Sequence, residues 1–188
     1  PAMTVLALGI GAGTKDTPGR PNVVRVLIGE PVGHPTGSPL HDVHDTPTSA
    51  VQIEANVDDL DPRLARQVLG EDAIIGLTTG TLELVQGANE YADVIDYIGA
   101  GPFRPTPTKS SGRAPLGLEG YPPLVAASAV PVVAIGDVQA ADAEALAETG
   151  VAGVAIVRAF MDSHDPAALA TTVVRAFDRA NAATGSHA

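Results

Sequence analysis

The sequence predicts an α/β fold: a parallel sheet with helices, preceded by a small two-stranded α+β segment. Three observations lead there. From residue 51 onward, short aliphatic runs alternate with helix-length amphipathic stretches, the pattern of consecutive βαβ units. Hydrophobic residues make up 45% of the chain but aromatics only 3%, so the interior must be Val, Ile, Leu and Ala, as in parallel sheets covered on both faces. Residues 29–49 are so dense in Pro, Gly, His and Asp that no regular element survives them, which sets the first 50 residues apart from the rest.

In the first part, MTVLALGI (3–10) and NVVRVLIG (22–29) read as strands around a turn-rich link. In the second, strands are expected at 51–57, 73–78, 94–101, 130–136 and 151–157, and helices at 62–69, 82–91, 140–148 and 166–181. Asp61-Pro62, Thr81 and Asp165-Pro166 supply caps and first-turn prolines for three of these helices. The expected organisation is therefore residues 1–50, with a linker at 29–49, then 51–181, then a loose tail at 182–188. Parallel sheets of this kind carry their functional loops at the carboxyl ends of the strands.

Charge narrows the function. With 11 basic and 22 acidic residues the net charge is −11, which opposes binding to nucleic acid or to an anionic membrane surface. The chain has no cysteine, so disulfides and thiolate chemistry are out and a cytoplasmic protein is expected. No apolar run is long enough for a membrane span, and no basic-then-apolar start suggests a signal peptide.

Five motifs admit both a functional and a plain structural role. GIGAG (9–13) has alternating glycines, but Pro18 and Pro21 prevent the helix a dinucleotide site needs, so it reads as a strand-to-loop turn. His41, Asp42, His44 and Asp45 are potential metal ligands in a loop whose ordering would oppose tight binding; a solvated linker is the simpler reading. Asp58, Asp59 and Asp61 suit either a helix cap or a hard-cation site at a strand end. GAGPFRPTPTK (99–109) presents Thr106, Thr108 and Lys109 on a proline-stiffened loop, a donor set suited to an anionic phosphate. AIGD (134–137) and AIVRAF (155–160) close the last two strands, and Gly136 and the amides after both strands could cradle a phosphate or merely end the strands.

Residues 58–175 resemble the thiamine phosphate synthase family through GEDAIIGLTTGT, DYIGAGPFRPTPTK, PLGLEG, VPVVAIGD and VAGVAIVRAFM, in the family's order. The resemblance implies a partial TIM-barrel-like sheet, five of eight strands, and Mg2+. It implies a transferase of thiamine biosynthesis that joins a pyrimidine methyl pyrophosphate to a thiazole phosphate, releasing pyrophosphate. Carried over, Thr78 and Lys109 are the catalytic candidates. Thr106, Thr108, Lys109, Gly136, Val157 and Arg158 contact the phosphorylated heterocycles, and Asp59 is a Mg2+ ligand. Departures stand beside these. Gly80 replaces the His of the family's S-T-H-T run, Asp137 a Gly, and Arg158 a Ser. Tyr121-Pro122-Pro123 is expected to interrupt a helix. The strands bearing the family's Q-x-R-x-K pyrophosphate grip and N-D aspartate are absent from the pattern.

Residues 3–62, with GAGTKDTPGRPN (11–22) and VQIEANVDDLDP, resemble instead the C-terminal region of the nickel-insertion protein for the nickel-pincer nucleotide cofactor. Lys15, Asp16, Arg20 and Asn22 are the motif residues, and Ni2+ is the metal that this part implies. The expectation is a fusion of two partial domains meeting near Asp58, with strands 3–10 and 22–29 adding to the sheet or packing across it. A homo-oligomer covering the open sheet edges is the remaining arrangement. Three functions stay open: a transferase, active or weakened by the missing grip; a nickel-insertion fragment; or a non-catalytic chimera that binds phosphate.

Overall fold

The computed structural model describes residues 5–8, 25–28, 50–54, 61–105 and 113–185. Five parallel strands form one sheet in chain order: β3 (Ala50–Glu54), β4 (Ile74–Thr79), β5 (Tyr97–Ala100), β6 (Val132–Ala134) and β7 (Gly153–Val154). Unbroken order with parallel pairing is what successive right-handed crossovers produce. The register runs Thr78 beside Glu54 and Gly99, then Gly99 beside Val133, then Val133 beside Gly153. β1 (Val5–Leu8) and β2 (Arg25–Ile28) pair antiparallel in a separate two-stranded sheet; they do not extend the larger one.

The helices form where local chemistry starts and stops them. α1 (Pro62–Leu69) has Asp61 as its cap, accepting from the Arg63 amide at 2.8 Å, and ends at Gly70, whose φ of 85° breaks the helical run. α2 (Leu82–Ala88) is capped by Thr81 through the Leu84 amide and runs into a 3-10 turn, Asn89–Tyr91. α4 (Ala143–Glu148) follows a 3-10 turn, Ala140–Asp142, and α6 (Pro166–Gly185) closes the described chain.

Two expectations need correction. Tyr121-Pro122-Pro123 does not interrupt a helix: it opens α3 (Tyr121–Ala127). Prolines in a first turn lose no intrahelical bond, because the amides there have no helical acceptor. The expected strand 151–157 is shorter, and its end gives way to a turn of helix, α5 (Arg158–Met161).

The core follows the period-two alternation of the strands. Ile75 and Leu77, Ile98 and Ala100, Val132 and Ala134, and Val154 and Ile156 face the helices. They pack against Ala65, Val85, Leu124, Leu146, Phe160, Val173 and Phe177. The alternate residues form a second, smaller cluster of Tyr97, Val133 and Ala155 with Ile74 and Ile135, on the face a barrel would enclose. Gly76 leaves the volume that the Tyr97 ring fills: a Cβ there would stand 2.2 Å from its Cζ. Thr78 falls on this inner face by the same alternation.

Candidate active site

Strand carboxyl ends are drawn together by backbone contacts that tolerate no side chain. β4 and β5 meet at Gly80, where a Cβ would lie 2.2 Å from the Gly101 carbonyl oxygen. β5 and β6 meet at Gly136, with φ of 89° and a notional Cβ 2.7 Å from the Pro102 Cα. The run after β5 is then pinned: Phe103 N donates to Ile135 O at 2.8 Å and Arg104 N to Gly136 O at 3.1 Å. Its return is pinned too, by Leu116 N to Pro102 O at 2.8 Å and Gly117 N to Phe103 O at 3.1 Å.

Onto this rim the fold brings several of the expected residues. Thr78 lies near the end of β4, 6% exposed. Gly136 follows β6, and Val157 and Arg158 follow β7. Thr106, Thr108, Lys109 and Asp59 lie outside the described residues, as do Asp58, the His41–His44 run and the Lys15–Asn22 motif. Of the three clustered aspartates, Asp61 is described, and it is a helix cap.

The departures at 137 and 158 answer each other. Asp137 takes the left-handed backbone, φ 57°, that its glycine predecessor also occupies; aspartate is among the few residues that tolerate it. Its Oδ1 accepts from Arg158 Nη2 in an ion pair, and from Gln139 Nε2 at 3.2 Å. The carboxylate is thus neutralised by the arginine from the neighbouring strand end, and the two substitutions add no net charge to the rim.

A second pair lies beyond the sequence expectations. Arg104 grips Asp142 with both terminal nitrogens, at 2.6 and 2.5 Å, and donates to Asp137 O at 3.2 Å. Its guanidinium also stacks 4.6 Å over the Phe103 ring. Burial would raise the Asp142 pKa, but hydrogen bonds from Arg104 and from the Gln139 amide outweigh it and hold the carboxyl below its ordinary range. The hydrogen bond to Asp142 likewise raises the Arg104 pKa. Arg113 also reaches the rim, through Nη1 to Thr79 O at 3.0 Å. Arg104 lies inside GAGPFRPTPTK and Arg113 four residues beyond it, yet no local pattern marks either one, because their partners are 34 to 38 residues away.

Among the described residues no group of three or more His, Asp or Glu could hold a metal ion, and no helix is long and apolar enough to cross a membrane.

Comparison with known proteins gives a consistent picture. A family model described as thiamine monophosphate synthase matches residues 43–160, and one described as nickel insertion protein matches residues 1–73. The thiamine-phosphate synthase of Corynebacterium jeikeium is 60% identical over 181 residues, an alignment covering 95% of this chain and 78% of that one. An alignment of that extent crosses residue 58, so both segments are collinear in that relative too. The Corynebacterium efficiens thiamine-phosphate synthase is 60% identical over 141 residues, covering 75% of this chain and 61% of that one. Among solved structures, thiamine phosphate pyrophosphorylase from Pyrococcus furiosus superposes with a TM-score of 0.58 at 28% identity. That match covers 70% of this chain and 60% of the other.

Proposed function

We propose that this chain, which belongs to the thiamine monophosphate synthase family, joins a pyrimidine methyl pyrophosphate to a thiazole phosphate and releases pyrophosphate. The observation that carries the reading is the convergence of Thr78, Gly136, Val157 and Arg158 at the carboxyl ends of β4, β6 and β7. The described residues on either side of Thr106, Thr108 and Lys109 in the sequence are bonded to that same rim, through Arg104 N to Gly136 O and Leu116 N to Pro102 O.

The chemistry asked of such a rim is modest. The bond from the methylene carbon to the pyrophosphate oxygen breaks, and its electron pair leaves with the pyrophosphate. The thiazole nitrogen supplies the pair that forms the new carbon–nitrogen bond. The protein therefore positions two anions and stabilises the growing charge on one of them. In this reading Lys109 and the Thr78 hydroxyl donate to the leaving pyrophosphate. Thr106, Thr108 and the backbone at Gly136, Val157 and Arg158 hold the thiazole phosphate. The Asp137–Arg158 pair keeps the aspartate from repelling that phosphate.

Mg2+ would neutralise the pyrophosphate in this family. The described residues do not by themselves make a Mg2+ site, and Asp59 stays the proposed ligand. A homo-oligomer covering the sheet edges at β3 and β7 belongs to the same reading. The segment matching nickel insertion protein has its motif residues outside the described set, and it enters none of these steps.

Pyrophosphate release by purified protein with Mg2+ and both substrates tests the proposal. A Lys109→Ala variant is expected to lose about a hundredfold in kcat/KM, the scale of removing one preorganised charge contact. Wild-type release no greater than that of the variant would show that the chain is not this enzyme.

A further inference from the structure

Arg104 binds the turn after β6 twice. Its backbone amide donates to the Gly136 carbonyl at 3.1 Å, and its Nη1 donates to the Asp137 carbonyl at 3.2 Å. A peptide unit is planar and trans, so each carbonyl points opposite to the N–H of the next residue. Two carbonyls turned toward Arg104 therefore turn the Asp137 and Val138 amides to the other side. Gly136 and Asp137 both have positive φ, 89° and 57°. Successive N–H groups held in a turn make an anion-binding concavity.

The arginine is itself held. The Asp142 carboxylate takes both terminal nitrogens, at 2.6 and 2.5 Å, and its Oδ2 also accepts from the Gln139 amide at 2.8 Å. Asp142 ends the 3-10 turn that leads into α4, whose Ala143 and Leu146 are fully buried in the core. The guanidinium also lies 4.6 Å over the ring of the buried Phe103, whose own amide donates to Ile135 O. The core thus reaches the Gly136–Asp137 backbone through Asp142 and Arg104. A bidentate carboxylate fixes the plane of a guanidinium, which a single contact does not. The pair cancels its own charge, so its effect on an anion comes chiefly from the backbone it holds.

We propose that Arg104, fixed by Asp142, is a positioning residue that sets the Gly136–Asp137 backbone to receive the phosphate of the thiazole substrate. The inference rests on the transferase reading above and assigns a role to a pair of residues that the motif resemblance does not mark. Contacts to a phosphate that takes no part in bond making are alike in ground and transition state, so the pair acts on KM and leaves kcat nearly alone.

Calorimetric titration with inorganic phosphate on wild type, Arg104→Met, Arg104→Lys and Asp142→Asn tests it apart from turnover. The sign of the change at Asp142 separates positioning from charge. If the residues acted through charge alone, removing the negative charge of Asp142 would tighten phosphate binding. Positioning requires the opposite. Asp142→Asn, which weakens the grip on Arg104, is expected to weaken phosphate binding severalfold, and Arg104→Met about tenfold, the scale of losing charge-assisted hydrogen bonds. Arg104→Lys should fall between wild type and Arg104→Met, since it keeps the charge and loses the planar fork. In turnover, Arg104→Met should raise KM for the thiazole phosphate about tenfold with kcat within about twofold, whereas a purely structural role lowers the active fraction, and so kcat, at unchanged KM. Tighter or unchanged phosphate binding by Asp142→Asn, unchanged binding by Arg104→Met, or no binding by wild type would overturn the proposal. If Arg104→Met fails to fold in a thermal melt, Asp142→Asn decides by the sign of its change. Phosphate binding in the expected order without pyrophosphate release ends the transferase reading and leaves the Arg104 assignment standing. Pyrophosphate release with phosphate affinity indifferent to both residues refutes the Arg104 assignment and leaves the transferase reading in place.

Discussion

At the amino ends of the strands, Arg66 is used up by the fold. Its guanidinium donates to the carbonyls of Val94, Ala73, Gly70 and Glu71 and to Asp96, and the side chain is 11% exposed. Asp96 in turn accepts from the Ile75 amide, so one ion pair ties α1, β4 and the approach to β5. At the carboxyl ends, Arg104 and Arg158 are 42% and 46% exposed and face carboxylates across loops. The residue types are the same, but Arg66 is enclosed by the carbonyls and the carboxylate it binds, whereas Arg104 and Arg158 hold their carboxylates at the solvent boundary. This is the division expected of parallel α/β sheets, where the amino end serves stability and the carboxyl end serves ligands.

Substitutions at the two ends test this division, and the largest effect on stability is expected at the amino end. Arg66→Met should cost about 3 kcal/mol in denaturant unfolding, because it strands several carbonyls and a half-buried carboxylate. Pyrophosphate release per folded molecule should be unchanged; a selective loss of kcat would blur the difference between the ends.

Asp142→Asn should cost less, about 1–2 kcal/mol, since its pair with Arg104 is partly solvated. It also carries a pH signature. The Asp142 carboxyl is held below its ordinary value, so its contribution is present above the unfolded pKa of about 4 and is lost as pH falls through the lower folded value. Melting curves between pH 6 and pH 2 should therefore converge for wild type and variant at the acid end. Parallel curves would mean that Asp142 does not titrate differently in the folded state.

Asp137→Asn is expected to change stability least, by about 0–1 kcal/mol, because the pair with Arg158 is exposed and asparagine tolerates the same backbone. Its effect should appear in ligand affinity. Releasing Arg158 from its counter-charge should tighten inorganic phosphate binding severalfold by calorimetry. An unchanged affinity would place the pair away from the phosphate.

Much of the fold is legible in the residues themselves. The bounds of α1 follow from Asp61, Pro62 and Gly70, three local signals that act within one turn, and the expectation of 62–69 matches the helix. The four later strands lie within the runs predicted for them, apart from one residue at the end of β4, because branched aliphatic runs bounded by Gly and Pro leave little alternative. The helix starting at Tyr121 escapes a reading that treats its prolines as breakers, since their position in the first turn makes them harmless. At the rim, motif resemblance points to Thr78, Gly136, Val157 and Arg158, whereas nothing local points to Arg113, Arg104 or Asp142.

Caps, strand runs, the aliphatic character of the core and the excess of acid all depend on composition or on neighbours within a few residues, so they can be read along the chain. Which charges meet cannot be read that way. Asp137 and Arg158 are 21 residues apart, Arg104 and Asp142 are 38, and Arg113 and Thr79 are 34. These contacts exist because parallel strands, stacked in chain order, bring their carboxyl ends to one edge. Electrostatic contact falls off within a few ångströms in solvent, and only the register of the sheet sets distances that short.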